Sequence, residues 1–259
     1  MADDRNFGIS HFFTTVEGGV SKKLYASANL GFHVGDRPDN VVQNRKLLEK
    51  RTGVPIVWME QVHGAHVASV IPQDPDILPT DPYGFLTVGQ ADGIILERRD
   101  VPETGLALAV MVADCVPVLL ADRTGSRIAA VHMGRAGMEK EIVGKAVDMF
   151  LARGSHTNDI SVWFGPHICK ACYEVGAELA QQMPTAVRSV TRWGSPGLDI
   201  ALGGIHQLQE RGVSVHISNQ CTYESTLYYS HRRATQLSGP TGRFAGIISL
   251  IPHDTLAMY

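Results

Sequence analysis

Long apolar runs that contain single ionisable residues dominate the middle of the chain. The run from 106 to 120 is interrupted by Asp114, and a second run, 128–131, ends on His132. Apolar runs bounded by turn residues are typical of strands that are buried on both faces of a sheet. Two such strands lying side by side would bring Cys115 and His132 close together. Ionisable side chains in an otherwise apolar sheet indicate a functional site.

Shorter stretches elsewhere carry the periodicity of strands and of helices. Asp39 is the predicted N-cap of a first helix, and Val42, Leu47 and Leu48 are its predicted inner positions. Residues 72–87 contain several prolines and aspartates and predict a loop. Besides the two apolar runs, we expect strands at 9–15, 57–59, 94–96, 160–164, 213–217 and 242–251, and helices at 39–52, 138–152, 174–183 and 199–211.

The order of these elements predicts the fold class. Strands and helices alternate and some strands are adjacent in sequence, which favours an α/β (α+β) fold of layered mixed β-sheets covered by helices. A chain of 259 residues can form one large domain or two small ones. Because no stretch has a strong linker composition, we expect a single domain over residues 1–259.

The composition argues against several classes of protein. A net charge of -3, with 44% hydrophobic and 19% charged residues, is ordinary for a globular protein and argues against binding to nucleic acid. The run 106–120 is too short for a membrane span, and the acidic N-terminus does not resemble a signal peptide. Four cysteines are too few for a disulfide scaffold. We therefore expect a cytoplasmic protein without a nucleic-acid, membrane or obligatory protein partner.

Three residues that commonly bind metals lie in or at the ends of apolar strands: His63, Cys115 and His132. Two imidazoles and one thiolate can form a catalytic zinc set that leaves a fourth position for water or substrate. Asp114, next to the thiol, is a candidate acid or base, or a hydrogen-bonding partner of a metal ligand. Because the three residues are far apart in sequence, their spacing leaves open that each histidine is structural.

A C-x-x-C pair, Cys169 and Cys172, follows the strand predicted at 160–164. A structural zinc site would need a second pair of ligands, and only Cys115 and Cys221 remain, far apart in sequence. We therefore do not expect a zinc ribbon. We interpret the pair as two buried thiols, with a redox pair as the alternative.

A series of motifs covers nearly the whole chain and resembles the YfiH family, also called the laccase-domain or polyphenol oxidase family. The motifs lie at 29–36, 44–45, 61–64, 113–117, 131–134, 165–166, 173–176, 221–222, 230–233 and 242–243. The resemblance implies a complex α/β fold and a zinc ion held by His63, Cys115 and His132. It also implies phosphorolysis of purine nucleosides, including adenosine, inosine and methylthioadenosine, with adenosine deamination as a second activity. Some bacterial members are instead described as editing peptidoglycan precursors.

A phosphorylase needs residues that orient phosphate and assist the leaving base. Arg45, in the middle of the first predicted helix, is the first candidate for phosphate, although a solvated arginine is the alternative. Arg232 and Arg233 are further candidates. Asp114 would protonate or hydrogen-bond the leaving purine.

Two departures from the family pattern concern the substrate pocket. The usual loop H-A-G-W-R-G reads H-M-G-R-A-G at 132–137, so the aromatic is lost and the arginine stands one place earlier. The usual T-R-x-G-G-V-S reads T-V-E-G-G-V-S at 15–21, without an arginine. Arg135 is a candidate replacement for the missing charge.

Three other functions remain open at this point. Cys115 and His132 could form the nucleophile and base of a hydrolase that acts on an amide or a peptidoglycan precursor. A copper polyphenol oxidase is less expected, because the 11 histidines include no His-x-His pair, and Cu2+ is accordingly less expected than Zn2+. A metal could also only staple a binding module that has no catalytic activity.

Overall fold

The computed structural model describes residues 7–71 and 78–252. The strands are β1 Phe7–Phe13, β2 Ile56–Glu60, β3 Val67–Ser69, β4 Thr87–Gln90, β5 Gly93–Glu97, β6 Leu106–Val112, β7 Val116–Asp122, β8 Arg127–Met133, β9 Ile160–Phe164, β10 Arg188–Val190, β11 Pro196–Leu198, β12 His216–Ile217 and β13 Phe244–Pro252. The helices are α1 Pro38–Thr52, α2 Arg135–Glu139, α3 Ile142–Ala152, α4 Ala177–Gln182, α5 Ile200–Gln209 and α6 His231–Gln236. None of the helices in these ranges is long and apolar enough to cross a membrane.

Most of the strands belong to two mixed sheets. The five-stranded sheet has the order β1-β13-β6-β2-β4, and the six-stranded sheet has the order β12-β9-β7-β8-β5-β3. β10 and β11 pair separately. β1 and β13 are antiparallel, with Phe7 opposite Pro252, so the two ends of the described chain lie in one sheet.

The two large sheets stack face to face between layers of helices. Leu108 of β6 and Leu119 of β7 share one buried cluster between the sheets. Val118, on the opposite face of β7, packs with side chains of α3 and α5. Trp58 of β2 packs with Leu48 of α1 on the outer face of the five-stranded sheet. Burial on both faces explains the continuous apolar runs, and the predicted class of layered mixed sheets covered by helices is confirmed.

The apolar run 106–120 forms two strands instead of one. β6 lies in the five-stranded sheet and β7 in the six-stranded sheet, so the chain changes sheet at residues 113–115. Asp114, at the centre of this crossing, has a φ of 94°, a conformation that is rare for residues with a side chain. The crossing places Cys115 at the junction of the two sheets, directly before β7.

The helix predicted at 138–152 is divided as well. α2 ends at Glu139 and α3 begins at Ile142, and Glu141 between them has a φ of 57°, which ends regular helical geometry. Further along, only His216–Ile217 of the strand predicted at 213–217 pairs with a neighbour. Residues 72–77 of the predicted loop lie outside the described residues.

The first helix also differs from its prediction. Its N-cap is Arg37 and not Asp39, because Pro38 takes the first helical position. Leu47, predicted on the inner side, is 40% exposed, whereas Leu48 is buried. The buried face of α1 contains three polar side chains that the apolar pattern could not indicate; its members are Val41, Asn44, Arg45, Leu48 and Thr52.

Candidate metal centre and active site

The three predicted ligands converge at the junction of the two sheets. One ligand atom from each of His63, Cys115 and His132 lies within 4.8 Å of the other two. His132 lies in β8 opposite Pro117 of β7, so the antiparallel register brings it beside Cys115. The His63 and His132 rings meet edge to face with centroids 4.7 Å apart. His132 is buried, Cys115 is half-buried and His63 is exposed, so the group opens to solvent on the side of His63.

Gly134 lets the three side chains approach. A Cβ at this position would lie 3.1 Å from the Cys115 sulfur, 3.3 Å from Cδ2 of His63 and 3.9 Å from Cε1 of His132. Its φ of -83° is open to any residue, so the glycine is needed for space and not for backbone conformation. Gly134 is also the N-cap of α2, which begins at once behind the site.

Asp92, which the sequence analysis did not single out, holds both histidines in place. Its carboxylate lies 2.8 Å from Nδ1 of His132, which leaves Nε2 of that ring for a metal. The same carboxylate accepts the backbone N–H groups of His63 at 2.9 Å and Gly64 at 2.6 Å. These bonds stabilise the φ of 57° at His63, which is unusual for a residue with a side chain. The sequence signal that could have indicated Asp92 is an acidic residue followed by a glycine at the start of an apolar strand.

The electrostatics of the group favour a thiolate. Burial opposes charge on Cys115, but His132 and then His63 outweigh it and lower the pKa of the thiol to about 6. Burial likewise opposes charge on His132, but the Cys115 thiolate and Asp92 raise its pKa to about 9. The thiolate is the form that binds metals and the form that acts as a nucleophile. The donor set and its charge therefore fit a borderline-soft divalent ion such as zinc.

Asp114 lies beside the thiol, but its carboxylate is already engaged. One oxygen accepts a hydrogen bond from the Thr222 hydroxyl at 2.6 Å, and the other accepts one from the backbone N–H of Arg232 at 2.6 Å. Asp114 thereby joins the sheet junction to the start of α6. Its predicted role as an acid or base stays a prediction.

Two cavities meet at the three-residue group. A smaller one, of about 160 Å³, is lined by polar side chains that include His33, His231 and Arg243. A larger one, of about 370 Å³, is lined in part by Asp114 and Tyr173. His63, Ala113, Cys115 and His231 border both cavities. A still larger cavity, of about 1060 Å³, lies elsewhere and has no histidine or cysteine among its described lining residues.

The arginines considered for anion binding occupy different environments. Arg45 is 3% exposed and donates to the carbonyl of Leu30 at 3.0 Å, and its guanidinium lies 3.8 Å from the centre of the Trp58 ring. Burial lowers its pKa to about 9 although Asp81 and Glu49 oppose the shift. It contacts Met111, which lines the smaller cavity, but Arg45 itself is not among the described lining residues.

The other arginines divide between the pocket and the scaffold. Arg135 and Arg232 line the larger cavity, and Arg243 lines the smaller one. Arg233 donates to the carbonyl oxygens of Thr222 at 2.6 Å and of three further residues, so it is committed to holding the backbone before α6. Sequence motifs alone could not separate these two roles.

A second group of metal-binding residue types was missed. Cys169, Cys172, Cys221 and Glu224 place one ligand atom each within 4.8 Å of one another. Burial is the largest cause that raises the pKa of Cys172 and of Cys221. The expectation of two buried thiols left out Cys221, because 49 residues separate it from Cys172. Residues that are far apart in sequence can be adjacent in the fold. The motif at 221–222 was the sequence signal that could have indicated Cys221.

Fold and site together define a mixed α/β protein with a candidate metal centre of two histidines and one cysteine at the junction of two stacked sheets. The family described as multi-copper polyphenol oxidoreductase laccase matches the chain over residues 10–251. The chain therefore belongs to this laccase-domain family, which includes YfiH.

Named relatives extend over nearly the whole chain. A purine nucleoside phosphorylase of Streptomyces griseus is 40% identical over 253 residues, which are 94% of this chain and 95% of that protein. The purine nucleoside phosphorylase YfiH of Shigella flexneri is 35% identical and covers 94% of this chain and 95% of its own length. The crystal structure of YlmD from Geobacillus stearothermophilus has a TM-score of 0.80 at 28% identity and covers 97% of this chain and 98% of its own. The relatives support an enzyme, and the resemblance found in the sequence is confirmed.

Proposed function

We propose that this protein is a zinc-dependent purine nucleoside phosphorylase that converts adenosine, inosine or methylthioadenosine, with phosphate, into free base and the sugar 1-phosphate. The observation that carries the proposal is the convergence of His63, Cys115 and His132 where two cavities meet. When bound, zinc would supply Lewis-acid polarisation and lower the pKa of a bound water. Such a water also fits adenosine deamination as a second activity.

The two cavities suit the two substrates. We assign phosphate to the smaller cavity, because Arg243, His33 and His231 line it and it is too small for a nucleoside. We assign the nucleoside to the larger cavity, where Tyr173 offers an aromatic ring. Phosphate then attacks C1′ of the ribose at the junction, and the bond from C1′ to the purine nitrogen breaks.

The leaving base departs with the electron pair of the broken bond. Asp114 lines the nucleoside cavity, and we propose that it hydrogen-bonds the purine there. Its oxygens retain lone pairs beyond the bonds from Thr222 and Arg232, so the carboxylate would accept a hydrogen bond from an N–H group of the base, while the departing purine nitrogen takes its proton from water. Arg135 and Arg232, in the same wall, would supply the positive charge that the motif at 15–21 lacks.

Metal analysis beside a phosphorolysis assay tests the proposal. His63→Ala, Cys115→Ala and His132→Ala are each expected to lose the zinc of this site together with the conversion of inosine and phosphate to hypoxanthine and ribose 1-phosphate. His156→Ala, at an exposed histidine, serves as the matched control and should keep both. A nucleoside panel read by mass spectrometry reports free base, sugar phosphate and deaminated product at once. Full phosphorolysis by zinc-free protein would overturn the proposal.

The same metal analysis addresses the copper alternative. Two histidines and a cysteine are also the ligands of single-copper electron-transfer sites. A multi-copper oxidase needs many more histidines. Among the described residues, the two groups of candidate metal ligands include two histidines, His63 and His132. Zinc without copper in the active protein is the expected result.

A cysteine hydrolase is the second candidate, because the Cys115 pKa of about 6 and the His132 pKa of about 9 describe a thiolate–imidazolium pair. Iodoacetamide separates the two functions. We expect Cys115 to be protected as purified and to react quickly after chelation, with the rate falling as the pH drops through about 6 because the thiolate is then protonated. Fast alkylation of active protein without chelation would favour the hydrolase.

A further inference from the structure

The cysteine cluster formed by Cys169, Cys172, Cys221 and Glu224 lies outside the candidate active site. One ligand atom from each residue lies within 4.8 Å of the other three. In a tetrahedral zinc site, sulfur atoms about 2.3 Å from the ion lie about 3.8 Å from one another. The side chains are therefore near the separation that a single ion would impose.

The cluster consists of two turns with equal ligand spacing. In the first turn, the N–H of Cys172 donates to the carbonyl of Cys169 at 2.9 Å. In the second, the N–H of Glu224 donates to the carbonyl of Cys221 at 3.2 Å. The chain thus presents C-x-x-C and C-x-x-E, which supply the two ligand pairs of a structural zinc site.

The two turns are held against each other in register. His167 and Cys221 form a parallel β-bridge, and the N–H of Thr222 donates to the carbonyl of His167 at 3.0 Å. The backbone N–H of Cys169 donates to the sulfur of Cys221 at 3.3 Å. An N–H group aimed at a sulfur stabilises negative charge on it, as required of a metal ligand.

We propose that Cys169, Cys172, Cys221 and Glu224 bind a second zinc ion, which staples the segment after β9 to the segment before α6. Three thiolates select a soft or borderline ion over magnesium or calcium. Three cysteines also exceed what one disulfide can use, whereas a metal uses all of them. Arg192 forms a salt bridge with Glu224 at the edge of the cluster and orients its carboxylate.

The staple would fix one wall of the candidate active site. Ile168 and Tyr173, on either side of the first turn, line the larger cavity. The N–H of Ile168 donates to the carbonyl of Asp114 at 2.9 Å, and the hydroxyl of Thr222, in the second turn, donates to the carboxylate of Asp114 at 2.6 Å. The second ion would therefore position the pocket without touching the substrate.

Zinc stoichiometry of the full-length protein tests the site. We expect two zinc ions per chain in the wild type, one in Cys115→Ala, one in Cys172→Ser, and none in the variant that carries both substitutions. Titration of the metal-free, denatured wild type without reductant should give four thiols. Two thiols would show a disulfide, and equal zinc content in the wild type and Cys172→Ser would show no second site; either result overturns the proposal.

A cobalt measurement avoids any substitution in the cluster. Cys115→Ala loaded with Co2+ should show intense near-ultraviolet absorption from sulfur-to-cobalt charge transfer, because the three remaining thiolates bind the ion. Absence of this absorption overturns the proposal even if Cys172→Ser fails to fold.

Glu224 is tested by the rate at which a chelator removes the second zinc. Glu224→Gln should release it at least about tenfold faster than the wild type, since amides are weaker zinc ligands than carboxylates. Glu178→Gln, at an exposed position in α4, is the matched control and should not change the rate. If the rate of zinc release is unchanged in Glu224→Gln, Glu224 is not a ligand of the second zinc ion.

Discussion

At the scale of single residues, Gly134 sets the space available to the candidate metal centre. A methyl group there would meet the Cys115 sulfur at 3.1 Å and the His63 ring at 3.3 Å. At these distances the methyl group would displace the Cys115 sulfur or the His63 ring by a few tenths of an ångström from the positions that bring the ligands together. The site therefore depends on a residue that binds nothing itself.

Gly134→Ala should weaken zinc binding at the centre by at least about tenfold, because the new methyl group separates the ligands. Competition with a chromophoric chelator measures the affinity. Gly176→Ala is the matched control, since a Cβ there would meet no atom within 4 Å and its φ is -62°. Equal affinities in the two variants would show that the ligands have room to rearrange.

Asp92 acts through the histidines that it orients. Asp92→Asn keeps the size of the side chain but removes the charge that fixes the His132 ring, so zinc affinity should fall about 10- to 100-fold.

The free energy of unfolding of the Asp92→Asn variant should also depend less on pH in the acidic range. His132 and the N–H groups of Gly64 and Val62 hold the pKa of Asp92 below its usual value against the effect of burial, so its contribution is present above the unfolded pKa and lost as the pH falls.

Unfolding midpoints at pH 7 and pH 4 check the second expectation, with Glu178→Gln at an exposed position as the control. A variant that loses as much stability at pH 4 as at pH 7, relative to the wild type, would contradict the linkage.

At the scale of elements, sequence periodicity located most strands. It failed where the backbone conformation of a single residue changes the direction of the chain. Cys115 and His132 could be placed together because adjacent apolar strands are expected to pair. The division of 106–120 into β6 and β7 depends on the φ of 94° at Asp114, and the division of 138–152 depends on the φ of 57° at Glu141. Positive φ is uncommon for any residue with a side chain, so the local sequence pattern does not predict it at either position. Asp92 was missed because its importance lies in contacts between elements.

Arg45 lies on the inner face of α1, which is partly polar. The guanidinium is enclosed by α1, the Trp58 ring of β2 and the carbonyl of Leu30, so we expect it to act on the smaller cavity only through its contact with Met111, as a positioning residue. Arg45→Ala should therefore raise the KM for phosphate about tenfold or more and change kcat less. Arg243→Ala, at a residue that lines the cavity, should raise the same KM at least as much. Phosphate dependence unchanged by Arg45→Ala removes Arg45 from the mechanism.

At the scale of the whole molecule, the buried cluster between the two large sheets joins the layers that each sheet forms with its helices. The inter-sheet cluster combines β2, β5, β6, β7, β8 and β13, so the two large sheets share one core in addition to the cluster that each forms with its own helices. β1 and β13, from opposite ends of the chain, pair over seven positions in one sheet. The class of layered mixed sheets followed from the order of predicted elements, but the order of strands did not, because it depends on long-range pairing that a local pattern does not encode.

The shared core leads to a prediction about unfolding. If residues 1–259 form one domain, the zinc-loaded protein should unfold in a single calorimetric transition. Each zinc ion adds about 4 kcal/mol to the free energy of unfolding when free zinc is about a thousandfold above its dissociation constant, so chelation should lower the midpoint by roughly 10 °C for each ion removed and zinc should restore it. The transition should stay single after chelation, because the three ligands bridge both sheets while the sheets keep their common core. Two separate transitions in either state would show that the sheets belong to independent domains.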